Sequence, residues 1–367
     1  PLGAFLSGGI DSSLIVSIAS KLKNKLNTFT IGFDFSSHDE SIYAEKIAKI
    51  LNTNHETFIC NKLNTIDIIN NLQEVYDEPF ADSSQIPTVM ISQIASKKVK
   101  VSLSGDGGDE LFGGYNRYLF AKKYWPIISK IPKSVRYFLV SMLENFPESL
   151  KLKILNIFIK NISNSTSKTT RFLDKIKHIN NKYEFYDSLV SVWDIDVSKV
   201  SNNYFNYFNS NNQKNIEDLM MLSDFKSYLT DDILCKVDRA TMYSSLESRA
   251  PFLDKNVVDL SFNLKSNLKI NNGQSKFILK ELLSDYLPRK YFERPKMGFA
   301  IPLNQWFRND LKNYMLDTLS KENITKTNFF DYNIVKKTIN DHISNKVDNT
   351  NKIWNIIQLI NWYEANN

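Results

Sequence analysis

The chain has 367 residues, 42% hydrophobic and 13% aromatic, which is enough for a substantial core in one large or two ordinary domains. Its net charge of +6 is modest for this length and fits an anionic ligand without demanding nucleic acid. No apolar run approaches the ~20 residues of a membrane span. Two cysteines, Cys60 and Cys235, and four scattered histidines, His38, His55, His178 and His342, argue against a disulfide framework or a His/Cys metal site.

Residues 2–6 form an apolar run suited to a buried strand. Ser7, Gly8 and Gly9 then permit a tight turn, and a helix follows over residues 14–22 with Leu14, Ile15, Ile18 and Leu22 on one apolar face. Strand, glycine turn and helix N-terminus aim backbone N–H groups and the positive end of a helix dipole at one point, which suits a phosphate. This is not a Walker loop, because no lysine follows the glycines. Asp11 stands in the turn instead. A carboxylate beside a phosphate is repelled unless a cation lies between them, so Asp11 reads as a Mg²⁺ ligand. The competing reading is an ordinary Ser/Asp helix cap.

Further along, residues 27–33 read as a strand, 39–52 as a helix capped by Ser37, and 55–60 as a third strand. Helices are predicted near 65–75 and 85–97, then a fourth strand at 99–104. The alternation predicts an α/β fold, a parallel sheet with helices on both faces. Ser7 and Ser104 each end a strand, so both loops are expected to open on one crevice, where strand order reverses. After Tyr115 no further strand is predicted. Residues 1–115 thus read as an α/β core and 116–367 as a helical part that completes the site. The basic residues from Lys122 to Lys182 are scattered and read as solvated helix faces. Asn-rich pieces around 202–215 and 345–352 read as surface loops.

The stretch Ser104-Gly-Asp-Gly-Gly-Asp-Glu-Leu-Phe-Gly-Gly-Tyr115 is dense in glycine and acid directly after a strand. Its glycines let backbone approach a ligand, and Asp106, Asp109 and Glu110 cannot all be buried unpaired. A metal between Asp11 and Asp109 would satisfy both and hold phosphates. The spacing of a Ca²⁺ loop is absent.

The first loop, Ser7-Gly-Gly-Ile-Asp-Ser12, resembles the pyrophosphate loop of the ATP pyrophosphatases. The second motif resembles a signature of the asparagine synthetase family, as do Asp232-Ile-Leu-Cys-Lys-Val-Asp-Arg-Ala-Thr-Met242, Ser245-Leu-Glu-Ser-Arg-Ala-Pro-Phe-Leu-Asp254, Gly273-Gln-Ser-Lys-Phe-Ile-Leu-Lys280 and Arg294-Pro-Lys-Met-Gly-Phe-Ala-Ile-Pro302. These matches run from Leu2 to about Trp306. The resemblance implies a sheet of the ATP pyrophosphatase type with a large helical region, and an ATP-dependent amide synthetase. Aspartate would be converted to β-aspartyl-AMP with release of pyrophosphate, and ammonia would displace AMP to give asparagine.

By position, the resemblance assigns Ser7, Gly8, Gly9, Asp11 and Ser12 to pyrophosphate and places Phe5, Ile31, Ser104 and Gly105 around the nucleotide. Asp11 and Asp109 become the Mg²⁺ pair, Asp106 a residue needed to form the acyl-adenylate, and Lys276 the lysine that neutralises phosphate charge. Lys236, Asp238 and Arg239 read onto one helix, with Lys236 and Arg239 sharing a face. Either one of these meets the substrate's carboxylate, or they form an ion network with Asp231, Asp232 and Glu247. Arg294 and Lys296 lie in a Pro/Gly-bearing loop that either closes over the site or is an ordinary surface loop.

Two departures stand out. Residue 106 is Asp where many family members carry Glu, which leaves open a sugar uronate or another carboxylate as acceptor, or ring closure as in β-lactam synthetase. The family's glutaminase half, with its nucleophilic N-terminal cysteine, is missing from residues 1–367, and neither cysteine stands in for it. Pro1 occupies the place of a starting Met, so upstream sequence is expected to have been removed or left out. A tRNA-modifying ATP pyrophosphatase would need a basic nucleic-acid face and usually catalytic cysteines. The expected setting is cytoplasmic, with small-molecule substrates, no nucleic-acid or membrane partner, and a homodimer as one admissible assembly.

Overall fold

The computed structural model describes residues 1–33, 40–60, 62–144, 146, 176–193, 215–294 and 301–367. Five strands form one sheet: β1 (Leu2–Phe5), β2 (Asn27–Phe33), β3 (Asn54–Cys60), β4 (Val101–Leu103) and β5 (Glu247–Arg249). The helices used below are α1 (Ile10–Leu22), α2 (Ser41–Ile50), α3 (Lys62–Val75), α4 (Gln85–Ala95), α5 (Gly108–Phe112) and α6 (Asn116–Ile128), then α7 (Lys182–Val190), α8 (Ile216–Lys226), α9 (Cys235–Tyr243), α10 (Phe277–Ser284), α11 (Tyr332–Ile343) and α12 (Thr350–Asn366).

The sheet is parallel throughout, in the order β3-β2-β1-β4-β5. The chain steps outward from β1 to β2 to β3, then crosses back to lay β4 on the other side of β1. Strand order therefore reverses between β1 and β4, and the loops leaving these two strands share one cleft. The first four strands are those predicted, within two residues at each end. The predicted Ser37 cap lies outside the described residues.

The fifth strand corrects the expectation that strands stop after Tyr115. It pairs along β4 from Val101↔Glu247 to Leu103↔Arg249. Three residues, two of them charged, carry no apolar run to mark a strand, and a short charged strand is a usual way to blunt a sheet edge. Residues far beyond 115 thus complete the sheet.

Both faces of the sheet are covered. Leu6, Leu14, Val16, Ala44 and Ile47 pack with Leu279 and Leu283 of α10 on one side. Phe29, Ile31, Leu72 and Ile86 pack with Trp354 and Ile357 of α12 on the other. A further core joins α6, α7 and α8 through Tyr118, Phe185 and Met220. It encloses Asp224, which is fully buried and accepts from Arg117 Nη2 at 2.8 Å, Tyr186 Oη at 2.6 Å and the Tyr118 hydroxyl.

Helix α1 departs from its predicted face. Residues Ser12 to Ser17 are buried all round, whereas Ile18 is 36% and Leu22 85% exposed. The first turns of α1 are enclosed between the sheet and α10, while its last turn runs into solvent. No helix among the described residues is long and apolar enough to cross a membrane.

In α11, His342 is fully buried, and its Nδ1 accepts the Asn349 N–H at 3.2 Å. Burial, with Arg308 nearby, holds its pKa below the ordinary 6.5. The unfolded chain therefore binds the proton more readily than the folded one. This contribution to stability is complete above about pH 6.5 and is lost as pH falls through the lowered folded value, at up to about 1.4 kcal/mol per pH unit. Melting temperature measured from about pH 7 down to pH 5 should fall, and His342→Asn should flatten part of that decline. An unchanged slope in the variant would exclude His342 as the titrating group.

Candidate active site

The loop from β1 to α1 is wound tightly on itself. The Ser7 N–H donates to Ser12 Oγ at 3.2 Å, the two hydroxyls lie 3.0 Å apart, and the Gly9 N–H donates to Ser7 Oγ at 3.3 Å. Gly8 has φ +72°, in the left-handed region that favours glycine. Gly9 caps α1 with no side-chain hydrogen bond, so Asp11 is not the helix cap. Its carboxylate points at the neighbouring loop instead.

That neighbour is the β4–α5 loop. Gly105 and Gly108 lie against Asp11, and a Cβ on Gly108 would come within 2.6 Å of the Asp11 carboxylate. Lys276, just before α10, reaches between the two loops. Its Nζ contacts Asp109 Oδ1 at 2.6 Å and also the Asp11 carboxylate. Burial alone would lower this ammonium's pKa, but Asp109 and Asp11 more than offset that and hold it well above its ordinary value. The backbone of Lys276 is left-handed, with φ +53° and ψ +38°. A side-chain residue there costs on the order of 1–2 kcal/mol, which the surrounding contacts must offset.

These residues line a cavity of about 920 Å³ at the reversal point of the sheet. Phe5, Ser7, Gly8, Gly9, Asp11, Ser12, Ser104, Gly105, Asp106, Asp109, Lys236 and Lys276 all reach its wall. Ile31 does not. It is 1% exposed and packs into the same core as Phe29, deeper in the sheet, while Phe29 and Thr30 of the same strand line the cavity.

Away from Lys276, desolvation by the cavity walls pushes the Asp106 carboxyl above the usual range, with the Lys236 charge working against it. Burial likewise pushes Glu110 up to about 7, and its Oε1 accepts from Tyr115 Oη at 2.7 Å. The Arg117 guanidinium stacks 3.9 Å above the Tyr115 ring and lies 5.2 Å from that of Tyr228, tying this wall to buried Asp224.

Lys236 takes part in an ion network and also faces the cavity. It is 6% exposed, and its Nζ lies 2.5 Å from Asp82 and 3.7 Å from Asp232. Arg239 turns outward to Asp77 at 2.6 Å, and Glu247 pairs with Arg249 instead. Asp238 and Arg239 line a second hollow of about 760 Å³ that shares Ser104 and Asp106 with the first. Residues Tyr228–Leu234, leading into α9, wind as a π-helix, a rare form often found at functional sites.

Arg294 does fold over the first loop. Its Nη1 pairs with Glu40 at 3.0 Å and its Nη2 approaches the Gly8 carbonyl at 3.4 Å. Lys296 lies outside the described residues. Sequence reasoning missed Asp82, Ser83 and Ser84, which line the cavity ahead of α4. Polar residues before a helix read as a cap, and nothing in their spacing reveals the distant lysine that they meet.

The donor set suits Mg²⁺ carried on phosphates. Among the described residues no group of three or more His, Cys, Asp and Glu side chains could hold a metal alone. Two carboxylates do converge, at Asp11 and Asp109, and Mg²⁺ commonly takes one or two carboxylates with phosphate oxygens and water. The glycine cradle leaves backbone room for the phosphates themselves.

The profile of a family described as asparagine synthase matches residues 1–364. A Bacillus subtilis protein named asparagine synthetase (glutamine-hydrolyzing) 1 is 31% identical over 378 aligned residues, covering all of this chain and 56% of that protein. A Mycobacterium bovis putative asparagine synthetase (glutamine-hydrolyzing) is 28% identical, covering 99% of the chain and 54% of its own length. Amidase chyE of Penicillium rubens is 23% identical over 92% of the chain and 55% of its own. The chain spans about half the length of these curated relatives.

Gly108→Ala tests the geometry of the carboxylate pair. The new methyl must displace the Asp11 side chain from its buried ion pair with Lys276, so melting temperature should fall while far-UV circular dichroism holds. Affinity for ATP at saturating Mg²⁺ should drop by about tenfold or more, the effect of removing one hydrogen bond to a charged group. Unchanged affinity by calorimetry would show that Asp11 does not contribute to nucleotide binding.

Proposed function

The chain belongs to the asparagine synthase family, and from that premise we propose that it makes a carboxamide from a carboxylic acid, ATP and ammonia. Aspartate is the acceptor in this reading. A side-chain carboxylate oxygen attacks the α-phosphorus of ATP, the α–β bridging bond breaks, and pyrophosphate leaves. Ammonia then attacks the acyl carbon of β-aspartyl-AMP and loses a proton, and the C–O bond to AMP breaks to leave asparagine. In this reading the reaction takes place in the cytoplasm, where ATP is supplied.

The observation that carries the proposal is Lys276 held between Asp11 and Asp109 where strand order reverses. A buried ammonium with two carboxylates is a poor device for stability, because desolvation opposes it. It is a good device for opposing charge that grows on a departing pyrophosphate. Ser7, Gly8, Gly9 and Ser12 cradle that pyrophosphate. Mg²⁺, when bound, supplies charge neutralisation to the phosphates, and Asp11 and Asp109 would hold it. Asp106 lies between the phosphate end and Lys236, where the acid to be activated must sit, and Lys236 meets a carboxylate of that acid.

Incubation with ATP, Mg²⁺, ammonium and aspartate should yield asparagine, AMP and pyrophosphate in equal amounts by mass spectrometry; ADP and phosphate as products would reject the scheme. A second reading, the same chemistry on a sugar uronate, is favoured by the short Asp106 side chain, and a panel of acids in the same assay separates the two.

Lys276→Ala should lower kcat by ~10²–10³ while changing KM for ATP far less, because its interaction is worth most as charge develops. A normal kcat would reduce Lys276 to a structural residue.

The nitrogen donor follows from the thiols. Cys60 is buried against Thr65 Oγ1 at 3.4 Å, and burial with Glu78 nearby pushes the Cys235 thiol up, away from the reactive thiolate. These 367 residues alone should therefore use ammonium and ignore glutamine, with a rate that rises with pH as the fraction of NH₃ grows. Synthesis driven by glutamine without added ammonium would contradict this.

A further inference from the structure

Lys280 and Arg294 also line the cavity, alongside Ser7, Gly8 and Gly9, and the scheme above leaves both cations unused. Arg294 is fixed from several sides. Its Nη1 pairs with Glu40 at 3.0 Å, its Nη2 donates to the Gly8 carbonyl at 3.4 Å, and its guanidinium lies 4.2 Å above the Tyr43 ring. The Arg294 and Glu40 side chains are only 13% and 12% exposed, so this pair is largely withdrawn from water. Yet the Arg294 Nε is buried with no hydrogen-bond partner among the described residues. A buried donor left unmet is costly, and a ligand oxygen relieves it.

Lys280 lies one turn beyond Lys276, within α10. Lys276 contacts two carboxylates, whereas among the described residues no carboxylate is in ion-pair contact with Lys280. Burial pushes the Lys280 pKa down; Glu293 opposes this, and the charges of Lys276 and Arg289 add to it. Glu293 is itself engaged by Arg289 at 2.8 Å. The wall therefore carries a half-buried ammonium short of negative charge, which an anionic ligand supplies. A helical turn of about 5.4 Å separates the two lysines along α10. With Lys276 committed to Asp11 and Asp109, Lys280 is left for phosphate beyond the bond that breaks, and Arg294 meets the same phosphate at the Gly8 turn.

We propose that Lys280 and Arg294 bind the terminal phosphate of the nucleotide and so select a nucleoside triphosphate over a diphosphate as adenylyl donor. This rests on the amide-forming reading above and names the nucleotide class its site selects. Attack of a carboxylate oxygen on the α-phosphorus breaks the α–β bond in either nucleotide: ATP releases pyrophosphate, and ADP would release orthophosphate. A planar guanidinium and an ammonium on the third phosphate commit turnover to the first course. Glu40 and Tyr43 act as positioning residues that hold the guanidinium over the loop.

Calorimetry on the whole chain at saturating Mg²⁺ compares ATP, ADP, pyrophosphate and orthophosphate. The wild type should bind ATP about tenfold or more tighter than ADP, and pyrophosphate tighter than orthophosphate by a similar factor, the effect of one charge-assisted hydrogen bond. Lys280→Met breaks no ion pair and should fold. It and Arg294→Ala should each weaken ATP and pyrophosphate by about tenfold or more and leave ADP within about twofold, while Lys280→Arg keeps most of the preference. Equal weakening of ATP and ADP would mark both residues as structural and overturn the proposal. So would equal binding of the two nucleotides by the wild type, which needs no variant to fold. Pyrophosphate release with each acid is scored separately: the expected binding pattern with no release from any acid overturns the amide-forming reading and leaves recognition of the terminal phosphate standing.

Discussion

One ammonium group joins three distant parts of the chain. Lys276 sits between Asp11 at the start of α1 and Asp109 in α5, and without it two carboxylates from adjacent loops would face each other in a desolvated cleft. Nearby features accommodate that arrangement. Gly105 and Gly108 remove the side chains that would push Asp11 away, Gly114 lies against both Asp109 and Lys276, and the lysine backbone takes a left-handed turn to deliver its amine. The sheet contributes the reversal between β1 and β4 that brings the loops side by side.

The cavity is consequently polarised along its length. At one end a lysine serves two carboxylates that would hold a phosphate-bound cation. At the other, a different lysine serves Asp82 and Asp232. Between them lie Asp106 and Glu110, whose carboxyls are both pushed up by desolvation. Of the two, Glu110, pushed up to about 7, can hold and release a proton near neutrality, which would suit the proposed reaction, in which ammonia must shed one. The Tyr115–Arg117–Asp224 connection stiffens this middle wall by fastening it to a fully buried carboxylate in the helical part.

Much of the fold was legible in the sequence, and the reasons are physical. Strands inside a parallel sheet are largely apolar, so β1, β2 and β4 announce themselves, while β3, at the far edge, shows through its apolar end at residues 58–60. Glu247–Arg249 bonds to one neighbour at the edge and needs no such composition. The helix pattern of α1 misled at Ile18 and Leu22, because periodicity records which residues are apolar and not how far along the helix its cover extends. Lys236 and Arg239 differ by only about 60° around α9, yet at the rim that angle divides a cavity residue from a surface ion pair. The motifs located the two loops that meet at the cavity, but the meeting of Asp82 with Lys236 is a tertiary fact that no local spacing encodes.

The distance along the chain between Asp11 and Lys276 also orders events in time. They are 265 positions apart. A nascent chain leaving the ribosome from its N-terminus exposes β1 to β4, with their short crossovers, long before residue 276 emerges. Those strands can pair early, since their contacts are comparatively local. The two acidic loops cannot settle against each other until the lysine arrives, and β5 must also wait. The nucleotide cleft is thus a late product of folding, and a chain stalled or cut before α10 would carry a sheet without a working centre.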